Sequence, residues 1–374
     1  MENYIYVTLF VLFQLCFIIQ LYFLIGKYSR LAAYKIPSPE AETDALIPIS
    51  VIISARNEAK NLSQFLAAIL AQDYPDFEVI LINDCSSDGS DILLLDMQAS
   101  YPRLKVVTIT EHDRFKTGKK FALTLGIKAA ANEHLLFTDA DCIPASDQWI
   151  RLMARNFDQQ TELVLGYSPY QKARGFMNVF IRFETLKTGI NYLSAALGGD
   201  AYMGIGRNMA YTKTLFFKSK GFASHMHILS GDDDLFVNQN ATESNVKIEI
   251  DRNAFTYSQA KTNYSGWYRQ KKRHMGVGKF YKDRHRRMLT VDALSGFLYY
   301  ALLITSLICN FEPLLALGLF GLRLGIQLFF YIRIFKKLNA KDLLFYLPFL
   351  DLLYYFYLNI FGLIGTFIKT TQWK

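Results

Sequence analysis

The stretch HLLFTDAD, residues 134–141, decides how this chain folds and where its chemistry lies. It is rich in large apolar residues, which predicts a short buried strand that runs directly into two carboxylates, Asp139 and Asp141. In open α/β sheets, ligands bind beyond the carboxyl ends of the strands. Two aspartates one residue apart can face one Mg²⁺ or Mn²⁺, because these cations prefer carboxylate oxygens and share them with phosphate. An Asx-rich turn after a strand is the alternative interpretation.

Around this stretch, apolar runs typical of strands alternate with segments of helical periodicity. Strands are predicted at 49–54, 77–82, 104–109 and 163–166, and helices at 59–72, 91–99, 117–131 and 176–198. A glycine-punctuated turn at 204–211 leads into a further strand. This alternation predicts an α/β, Rossmann-like fold with a mostly parallel sheet covered by helices on both faces.

The apolar residues are unevenly spread along the 374-residue chain. Residues 4–26 and 291–368 are almost wholly apolar, whereas the segment between them has ordinary globular composition. The chain is long enough for one large domain with additional segments. We therefore predict a transmembrane helix in 1–26, a linker in 27–47, a large folded domain in 48–290 and a carboxyl-terminal membrane region with two to three hydrophobic spans in 291–374.

Charges beside the first apolar segment predict its orientation. The segment is long enough to cross a hydrocarbon core of ~30 Å. Lys27, Arg30 and Lys35 follow it, while Glu2 is the one charged side chain before it. The positive-inside rule then places the amino terminus outside and the domain in 48–290 in the cytoplasm. Neither a basic start nor a small-residue cleavage site marks residues 4–26 as a cleaved signal peptide.

The last apolar segment, 342–368, is compatible with two topologies. It is long enough to span a membrane, but Pro348 and Asp351 interrupt it. A single crossing would place the carboxyl terminus outside, and a re-entrant hairpin would return it to the cytoplasm.

Several classes of protein and site are excluded by composition. The four cysteines are scattered and show no CxxC spacing, so we expect neither disulfides nor a zinc site, and a reducing compartment. His225 and His227 have spacing that could suit a metal, but no third ligand is evident, so we expect a structural role. The net charge of +8 fits an anionic membrane surface and phosphate ligands. We find no nucleic-acid motif and expect no nucleic-acid partner.

Acidic residues recur at predicted strand ends and tight turns, namely Asp84, the pair Asp139 and Asp141, and the run 232–234. Because strand ends of a parallel sheet lie on one side, we expect these groups to converge. Transfer from a nucleotide diphosphate needs such a set, since carboxylates can bind a base, hold a cation or accept the proton of an attacking hydroxyl. Lys119 and Arg273 are candidates for phosphate contacts. Lys119 also suits a solvated helix position.

Six short motifs then carry a family resemblance. They are SARNE at 54–58, NDCSSD at 83–88, GKKFAL at 118–123, TDAD at 138–141, GRN at 206–208 and GDD at 231–233. Their order is that of family 2 glycosyltransferases. Over roughly 48–290 the chain resembles the membrane-bound branch of this family, which has a GT-A catalytic domain between transmembrane helices.

The resemblance implies roles for individual residues on the donor side of the site. Asp84 corresponds to the base-contacting aspartate, with Ala55 and Glu58 lining the same pocket. Asp139 and Asp141 resemble the DxD motif, which holds Mg²⁺ or Mn²⁺ on the diphosphate of the sugar nucleotide.

Further roles are implied on the acceptor side. Asp233 resembles the catalytic base, and Asp232 stands where the family often has Glu. Gln270 and Arg273 match a Gln-x-x-Arg-Trp motif of the acceptor and diphosphate side, but His274 replaces the Trp and departs from the pattern of processive synthases. Arg207 and Asn208 either shape the acceptor pocket or form a turn.

The implied function is an inverting, metal-dependent transfer from a UDP- or GDP-linked sugar to a lipid-linked or polysaccharide acceptor. We expect it at the cytoplasmic face of a bacterial plasma membrane, as part of cell-envelope synthesis, with membrane lipids as partners. Three different functions compete with it: a processive polysaccharide synthase, a non-catalytic membrane scaffold with a GT-A fold, and a nucleotidyltransferase. The last would use paired aspartates and a metal, but it does not predict an acidic turn followed by the basic, aromatic segment 264–288.

Overall fold

The structure, a computed structural model, describes residues 2–38, 46–110, 118–228 and 230–367. Contacts divide the chain into two compact units. The first, here called the sheet unit, comprises the described residues of 35–185 and 195–262. The second, the helical unit, comprises those of 1–34, 186–194 and 263–370. The division groups residues 263–290 with the helical unit, and the predicted domain boundaries stay predictions.

Within the described ranges, the sheet unit is built from nine strands. They are β1 Ile49–Ala55, β2 Phe77–Asp84, β3 Leu104–Ile109, β4 His134–Asp139, β5 Cys142–Pro144, β6 Leu163–Gly166, β7 Met209–Thr212, β8 Val246–Glu249 and β9 Thr256–Ser258. Seven of them form one sheet in the order β3-β2-β1-β4-β7-β6-β8. β5 and β9 form a separate antiparallel pair.

Helices occur in both units, and α1 and α2 lie in the helical unit. Their bounds are α1 Glu2–Leu21, α2 Ser29–Ala33, α3 Ala59–Leu70, α4 Ser90–Ser100, α5 Lys119–Ala129, α6 Trp149–Ala154, α7 Phe176–Ala196, α8 Lys213–Lys218, α9 Asp234–Asn240, α10 Tyr264–Met275, α11 Asp283–Ile308, α12 Pro313–Lys337 and α13 Leu347–Phe367. A π-helical turn, Tyr22–Tyr28, joins α1 to α2. Short 3₁₀ turns lie at Ala223–His225, Arg252–Ala254, Gly278–Phe280 and Lys341–Tyr346. Thr117, the first residue of the predicted helix 117–131, lies outside the described residues, as do parts of the predicted linker and of the two predicted terminal segments.

The mostly parallel α/β prediction is confirmed. β1 pairs in parallel with β2 and β4, β2 with β3, and β6 with β8. The exception is β7, which runs antiparallel to both β4 and β6. Every residue of β2 is buried, which explains why apolar residues on both faces dominate this strand apart from Glu78 and the terminal Asn83 and Asp84.

The helix α3 shows how the sequence pattern covers the sheet. Its buried residues Leu62, Leu66 and Ile69 recur at helical spacing and pack in the same apolar cluster as β1 and β2. Burying each such side chain contributes about 1.5–3 kcal/mol to folding.

Strand register brings the candidate residues to one edge of the sheet. Ser54 pairs with Asp139 and Ala55 pairs with Asn83, so β1, β2 and β4 end together. Because β7 is antiparallel, it begins at this edge, where Met209 pairs with Phe137. The turn before β7 therefore lies at the same edge as the carboxyl ends of the parallel strands.

Asn208 fixes the backbone at that edge. Its Nδ2 donates to the carbonyls of Tyr167, at 2.9 Å, and Ala254, at 2.8 Å, while its Oδ1 accepts from Trp149 Nε1 at 3.0 Å. The side chain is fully buried. A Cβ on Gly166 would lie 2.5 Å from Asn208 Cγ, so this close approach requires glycine. These hydrogen bonds support a structural role for Asn208 in the turn rather than a role in the acceptor pocket.

We predict that Asn208→Ala lowers the free energy of unfolding by about 2 to 4 kcal/mol, because it leaves buried hydrogen-bonding groups without a partner. Thermal unfolding of the purified full-length protein measures this loss. Asn253→Ala, at an exposed asparagine, is the control and should leave the melting temperature unchanged. An equal effect of the two substitutions would contradict the assignment.

Among the residues that the structure describes, four segments of the helical unit are long and apolar enough to cross a membrane. They are Tyr4–Ala33, Asp283–Ile308, Pro313–Lys337 and Lys341–Gly362. α1 and α11 run antiparallel, since Phe13 stacks on Tyr299 at 5.1 Å while Gln20 Nε2 donates to Ser295 Oγ at 2.9 Å. Lys337, at the end of α12, donates to the carbonyl of Leu31 at 2.9 Å. We call this end of the bundle, where α1 and α12 finish and α11 begins, the basic end.

The direction of α13 follows from its contacts with α11. Tyr300 donates to Asp351 at 2.9 Å, Tyr355 packs against Gly296, and Asn359 donates to the carbonyl of Ala293 at 2.8 Å. Residue numbers rise along α13 as they fall along α11, so α13 runs antiparallel to α11. Its carboxyl end therefore points to the basic end. A Cβ on Gly296 would lie 2.2 Å from the buried Tyr355 ring, so glycine permits this close packing.

These contacts favour a hairpin for 342–368 over a single crossing. We predict that a reporter fused after Lys374 is on the same side of the membrane as the basic end, which the positive-inside rule places in the cytoplasm. Paired reporters, one active only inside and one active only outside, measure the location. Fusions after Asn310, at the opposite end, are the control and should report the outside. A carboxyl-terminal fusion active only outside would contradict the hairpin.

The centre of the helical unit is filled by a buried polar network. Asp351 accepts hydrogen bonds from Lys187 at 3.2 Å, Arg323 at 3.0 Å and Tyr300. Asp292 accepts from Tyr28 at 3.1 Å. All these charged side chains are buried, and two cations stand against two carboxylates. Removing one partner of such a buried ion pair typically costs about 3–5 kcal/mol.

Candidate functional site

Lys119 is the centre of the carboxylate cluster at the edge of the sheet. It is the first residue of α5, and its Nζ lies 2.9 Å from Asp139 Oδ1 and 3.0 Å from Asp232 Oδ2. Two carboxylates far apart in sequence are thus joined through one ammonium group. We expected Asp139 to lie close to the acidic turn at 231–233, and the structure brings the two together through Lys119.

Electrostatics keep Lys119 charged. Burial alone would lower its pKa, but Asp139, Asp232 and Asp233 outweigh burial and raise the pKa well above the ordinary value. Its ammonium therefore remains a fixed positive charge among the acids. A solvated helix position for Lys119 does not fit this environment.

Asp233 is held by backbone amides at the start of α9. Its Oδ2 accepts from the amide of Gly206 at 2.8 Å, and its Oδ1 accepts from the amide of Asp234 at 2.8 Å. Burial, followed by the charge of Asp232, raises the pKa of Asp233. A carboxylate with a raised pKa binds a proton more readily, which suits a general base.

Asp139 and Asp141 form the second acidic pair. Burial, followed by the charge of Asp139, raises the pKa of Asp141. Arg207 and Glu58 also act on Asp141 electrostatically, the first lowering its pKa and the second raising it. Such crowding of like charges is relieved by a cation, and hard carboxylate oxygens suit Mg²⁺ or Mn²⁺. The two side chains therefore fit the metal that the DxD resemblance implies.

The described residues do not form a metal site in which three protein side chains alone hold the ion. Across the described ranges, no group of three or more His, Cys, Asp and Glu side chains is arranged to hold an ion. His225, one of the two histidines considered in the sequence, is buried, and its Nδ1 lies 2.9 Å from Ser224 Oγ. A cation at Asp139 and Asp141 would accordingly need further oxygens from water or from a bound phosphate.

Arg207 is a second fixed cation near the acids. Its guanidinium donates to Ser258 Oγ at 2.5 Å and to the carbonyl of Ser168 at 3.1 Å, and it lies 4.4 Å from the ring centre of Tyr170. These contacts hold the planar group in one orientation. The charge of Arg207 consequently acts on Asp141 from a defined position.

The loops after β1 and β2 are bonded to each other beside the cluster. The amide of Asn57 donates to Ser86 Oγ at 3.0 Å, and the amide of Ser87 donates to Asn57 Oδ1 at 2.8 Å. The amide of Ala59 also donates to Asp88 at 2.9 Å. The two loops therefore form one preorganised rim.

The predicted nucleotide-contacting residues lie on this rim. Ala55 ends β1, Asp84 ends β2, and both are buried. Glu58 precedes α3, and its Oε2 accepts from Asn61 Nδ2 at 2.6 Å. Their predicted contacts with a base stay predictions.

Two predicted residues lie in the helical unit. Gln270 and Arg273 are on α10, which packs through Trp267 against Phe361 of α13, with ring centres 5.4 Å apart. Their roles on the diphosphate side stay predictions, as does that of Arg207 on the acceptor side.

Sequence reasoning does not identify Lys120. Its Nζ donates to three backbone carbonyls, those of His225, Ile228 and Ser230. The GKKFAL motif contains this residue, but only the buried position of its side chain distinguishes it from a solvated lysine.

Known proteins share both the sequence pattern and the fold. Residues 50–217 match the family model described as Glycosyl transferase family 2. That range includes Ala55, Asp84, Lys119 and Asp139, and it ends before Asp232. In a solved mannosyltransferase, PcManGT of Pyrobaculum calidifontis in complex with GDP-Man and Mn²⁺, the same fold covers 95% of this chain and 98% of that one, with a TM-score of 0.60 and 17% identity.

Curated relatives match over shorter stretches. Glycosyltransferase AglE of Haloferax volcanii is 32% identical over 110 residues, 29% of this chain and 34% of its own length. The poly-β-1,6-N-acetyl-D-glucosamine synthase of Staphylococcus epidermidis is 32% identical over 99 residues, 26% of this chain and 23% of its own length. The matched stretches thus span about a third or less of these relatives. Residues 50–217 thus match the Glycosyl transferase family 2 model in sequence, and the chain shares the fold of the solved mannosyltransferase.

Proposed function

We propose that this protein transfers a sugar from a nucleotide-diphosphate donor to a lipid-linked or polysaccharide acceptor at a membrane. The observation that carries the proposal is the convergence of Asp139, Asp232 and Asp233 on Lys119 at the edge of the sheet. The bonded loops at the same edge support a nucleotide pocket formed by Ala55, Glu58 and Asp84.

A UDP- or GDP-linked sugar is the proposed donor. The solved mannosyltransferase is in complex with GDP-Man and Mn²⁺, and we propose a donor of this class with Mg²⁺ or Mn²⁺. Asp139 and Asp141 would hold the ion, together with oxygens of the diphosphate. When bound, the ion supplies positive charge to the departing diphosphate.

The proposed reaction inverts the configuration of the anomeric carbon. Asp233 accepts the proton of an acceptor hydroxyl, whose oxygen forms a bond to that carbon while the bond to the diphosphate breaks on the opposite face. The amides of Gly206 and Asp234 hold Asp233 in place for this proton transfer. The fixed charges of Lys119 and Arg207 favour the anionic leaving group.

The helical unit bears on the choice between single transfer and processive synthesis. A polymer channel needs polar space among helices, whereas Gln20, Tyr300, Arg323 and Asp351 are buried against one another at the centre of this unit. His274, which replaces the Trp of the Gln-x-x-Arg-Trp motif, also disfavours processive synthesis. We therefore favour single transfer over a processive synthase.

A scaffold and a nucleotidyltransferase both fit less well. A scaffold has no use for a carboxylate with a raised pKa held by two amides, as Asp233 is. A nucleotidyltransferase is disfavoured by the family match over 50–217.

The four apolar segments support a membrane protein. We propose a bacterial plasma membrane, with the sheet unit in the cytoplasm and membrane lipids in contact with the apolar segments. The positive-inside rule, applied to the basic residues after the first apolar segment, supports this orientation.

The decisive experiment incubates purified full-length protein with a panel of nucleotide sugars, with and without membrane lipid. Release of nucleoside diphosphate that depends on one donor and on added Mg²⁺ or Mn²⁺ supports the proposal. Release of pyrophosphate instead would favour a nucleotidyltransferase, and no turnover with any donor would favour the scaffold.

We predict that Asp141→Asn and Asp139→Ala each abolish metal-dependent donor binding, because each removes a carboxylate that would hold the cation. Calorimetric titration of the donor with Mn²⁺ and with chelator measures this. Asp96→Asn, at an exposed acid on α4, is the matched control and should bind normally. Wild-type donor affinity of Asp139→Ala in chelator would contradict the metal assignment.

We predict that Asp233→Asn lowers turnover by about 10²- to 10⁴-fold, because an amide cannot accept the proton of the attacking hydroxyl. Donor affinity should stay within about twofold of wild type, since the amide oxygen can still accept the hydrogen bond from Gly206 and only the bond from the Asp234 amide is lost. Asp234→Asn, whose Oδ1 accepts from Leu235 of its own helix at 2.7 Å, is the neighbouring control. Full turnover by Asp233→Asn would exclude Asp233 as the base.

A further inference from the structure

Lys120 bonds to the backbone that leads into the acidic turn. Its Nζ donates to the carbonyls of His225 at 2.7 Å, Ile228 at 2.9 Å and Ser230 at 2.8 Å. The residue is only 5% exposed. An ammonium group has three donors, and these three bonds use all of them. We call this arrangement the Lys120 clamp.

The clamp is continuous with the carboxylate cluster in sequence and in space. Ser230 is two residues before Asp232, whose carboxylate pairs with Lys119. Two consecutive lysines in the first turn of α5 therefore fix the same segment. The Lys120 side chain bonds to backbone carbonyls of the segment, and the Lys119 side chain pairs with the Asp232 carboxylate. Asp233 follows directly and bonds to the amide of Gly206.

We infer that Lys120 is a positioning residue, which holds the backbone before the acidic turn so that Asp233 stays against Gly206 and Asp232 stays against Lys119. It has no direct part in binding the donor or in proton transfer. The expected effect on turnover rests on the proposed function. The clamp itself rests only on the three hydrogen bonds of Lys120.

The charges around Lys120 support a role for its cation. Asp232, Asp234 and Asp233 act on it electrostatically, and each favours its charged form. Burial lowers the pKa of Lys120 to about 8 in spite of these acids. Burial and the neighbouring Lys120 lower the pKa of His225 to about 4, so His225 is neutral at physiological pH and does not compete as a cation.

A positioning role differs measurably from general support of the fold. The rim formed by the loops after β1 and β2 is bonded through Asn57, Ser86 and Ser87, without Lys120. Loss of the clamp should thus disturb the acidic turn and leave the nucleotide side intact. Misplacing a reacting group by about 1 Å can cost about 100-fold in rate.

The test uses Lys120→Met in the full-length protein, with Lys128→Met, at an exposed lysine of the same helix, as the matched control. Hydrogen-exchange mass spectrometry should show faster exchange in peptides covering 222–235, with β1 to β4 unchanged. Turnover should fall about 10- to 100-fold, with the affinity for nucleoside diphosphate and Mn²⁺ within about twofold of wild type. Lys120→Arg, which keeps a cation and several donors, should recover part of the turnover.

Unchanged exchange in 222–235 would overturn the clamp, and a parallel loss of turnover and nucleotide affinity would overturn the positioning role. If Lys120→Met does not fold, Lys120→Gln takes the same measurements and is judged by the same criteria. If the wild-type protein transfers no sugar, the proposed function fails, while hydrogen exchange still decides whether the clamp exists.

Discussion

The arrangement of the acids in the sheet unit depends on the ion pairs of Lys119. Asp139 and Asp232 belong to strand ends and turns far apart in sequence, and like charges brought together in a partly buried place repel each other. A single ammonium group between them turns that repulsion into attraction. Because α5 begins at Lys119, the position of this helix on the sheet determines where the acids meet, and the site is part of the packing of α5 against β1 and β2.

Much of this arrangement is encoded in sequence pattern. Apolar runs predict β1, β2 and β4, and parallel pairing brings their carboxyl ends, with Asp84 and Asp139, to one edge. The acidic turn at 231–233 directly precedes α9 and does not end a strand, so strand ends alone do not place it beside Asp139. Periodicity thus predicts the fold class and the edge on which the chemistry lies.

Other features depend on contacts that no local pattern encodes. The antiparallel β7 has the same apolar composition as a parallel strand, and its direction is set by pairing with β4 and β6. Asn208 and Lys120 look solvent-exposed by residue type, yet their bonds to distant carbonyls bury them. The direction of α13 likewise depends on which residues of α11 meet Asp351 and Asn359, which hydropathy does not report.

The two units compensate buried charge differently, and the difference bears on function. In the helical unit, Lys187 and Arg323 stand against Asp351 and Asp292, a balanced set whose members bond to one another and to tyrosines. In the sheet unit, Asp139, Asp141 and the acidic run 232–234 surround Lys119, Lys120 and Arg207, and the pKa values of Asp141 and Asp233 are raised. The charges of the balanced network in the helical unit are already paired, so a further ion would not stabilise it, and the network serves the packing of the helices. An acidic excess at this edge is costly by itself, and the cation that we propose at Asp139 and Asp141 would offset that cost.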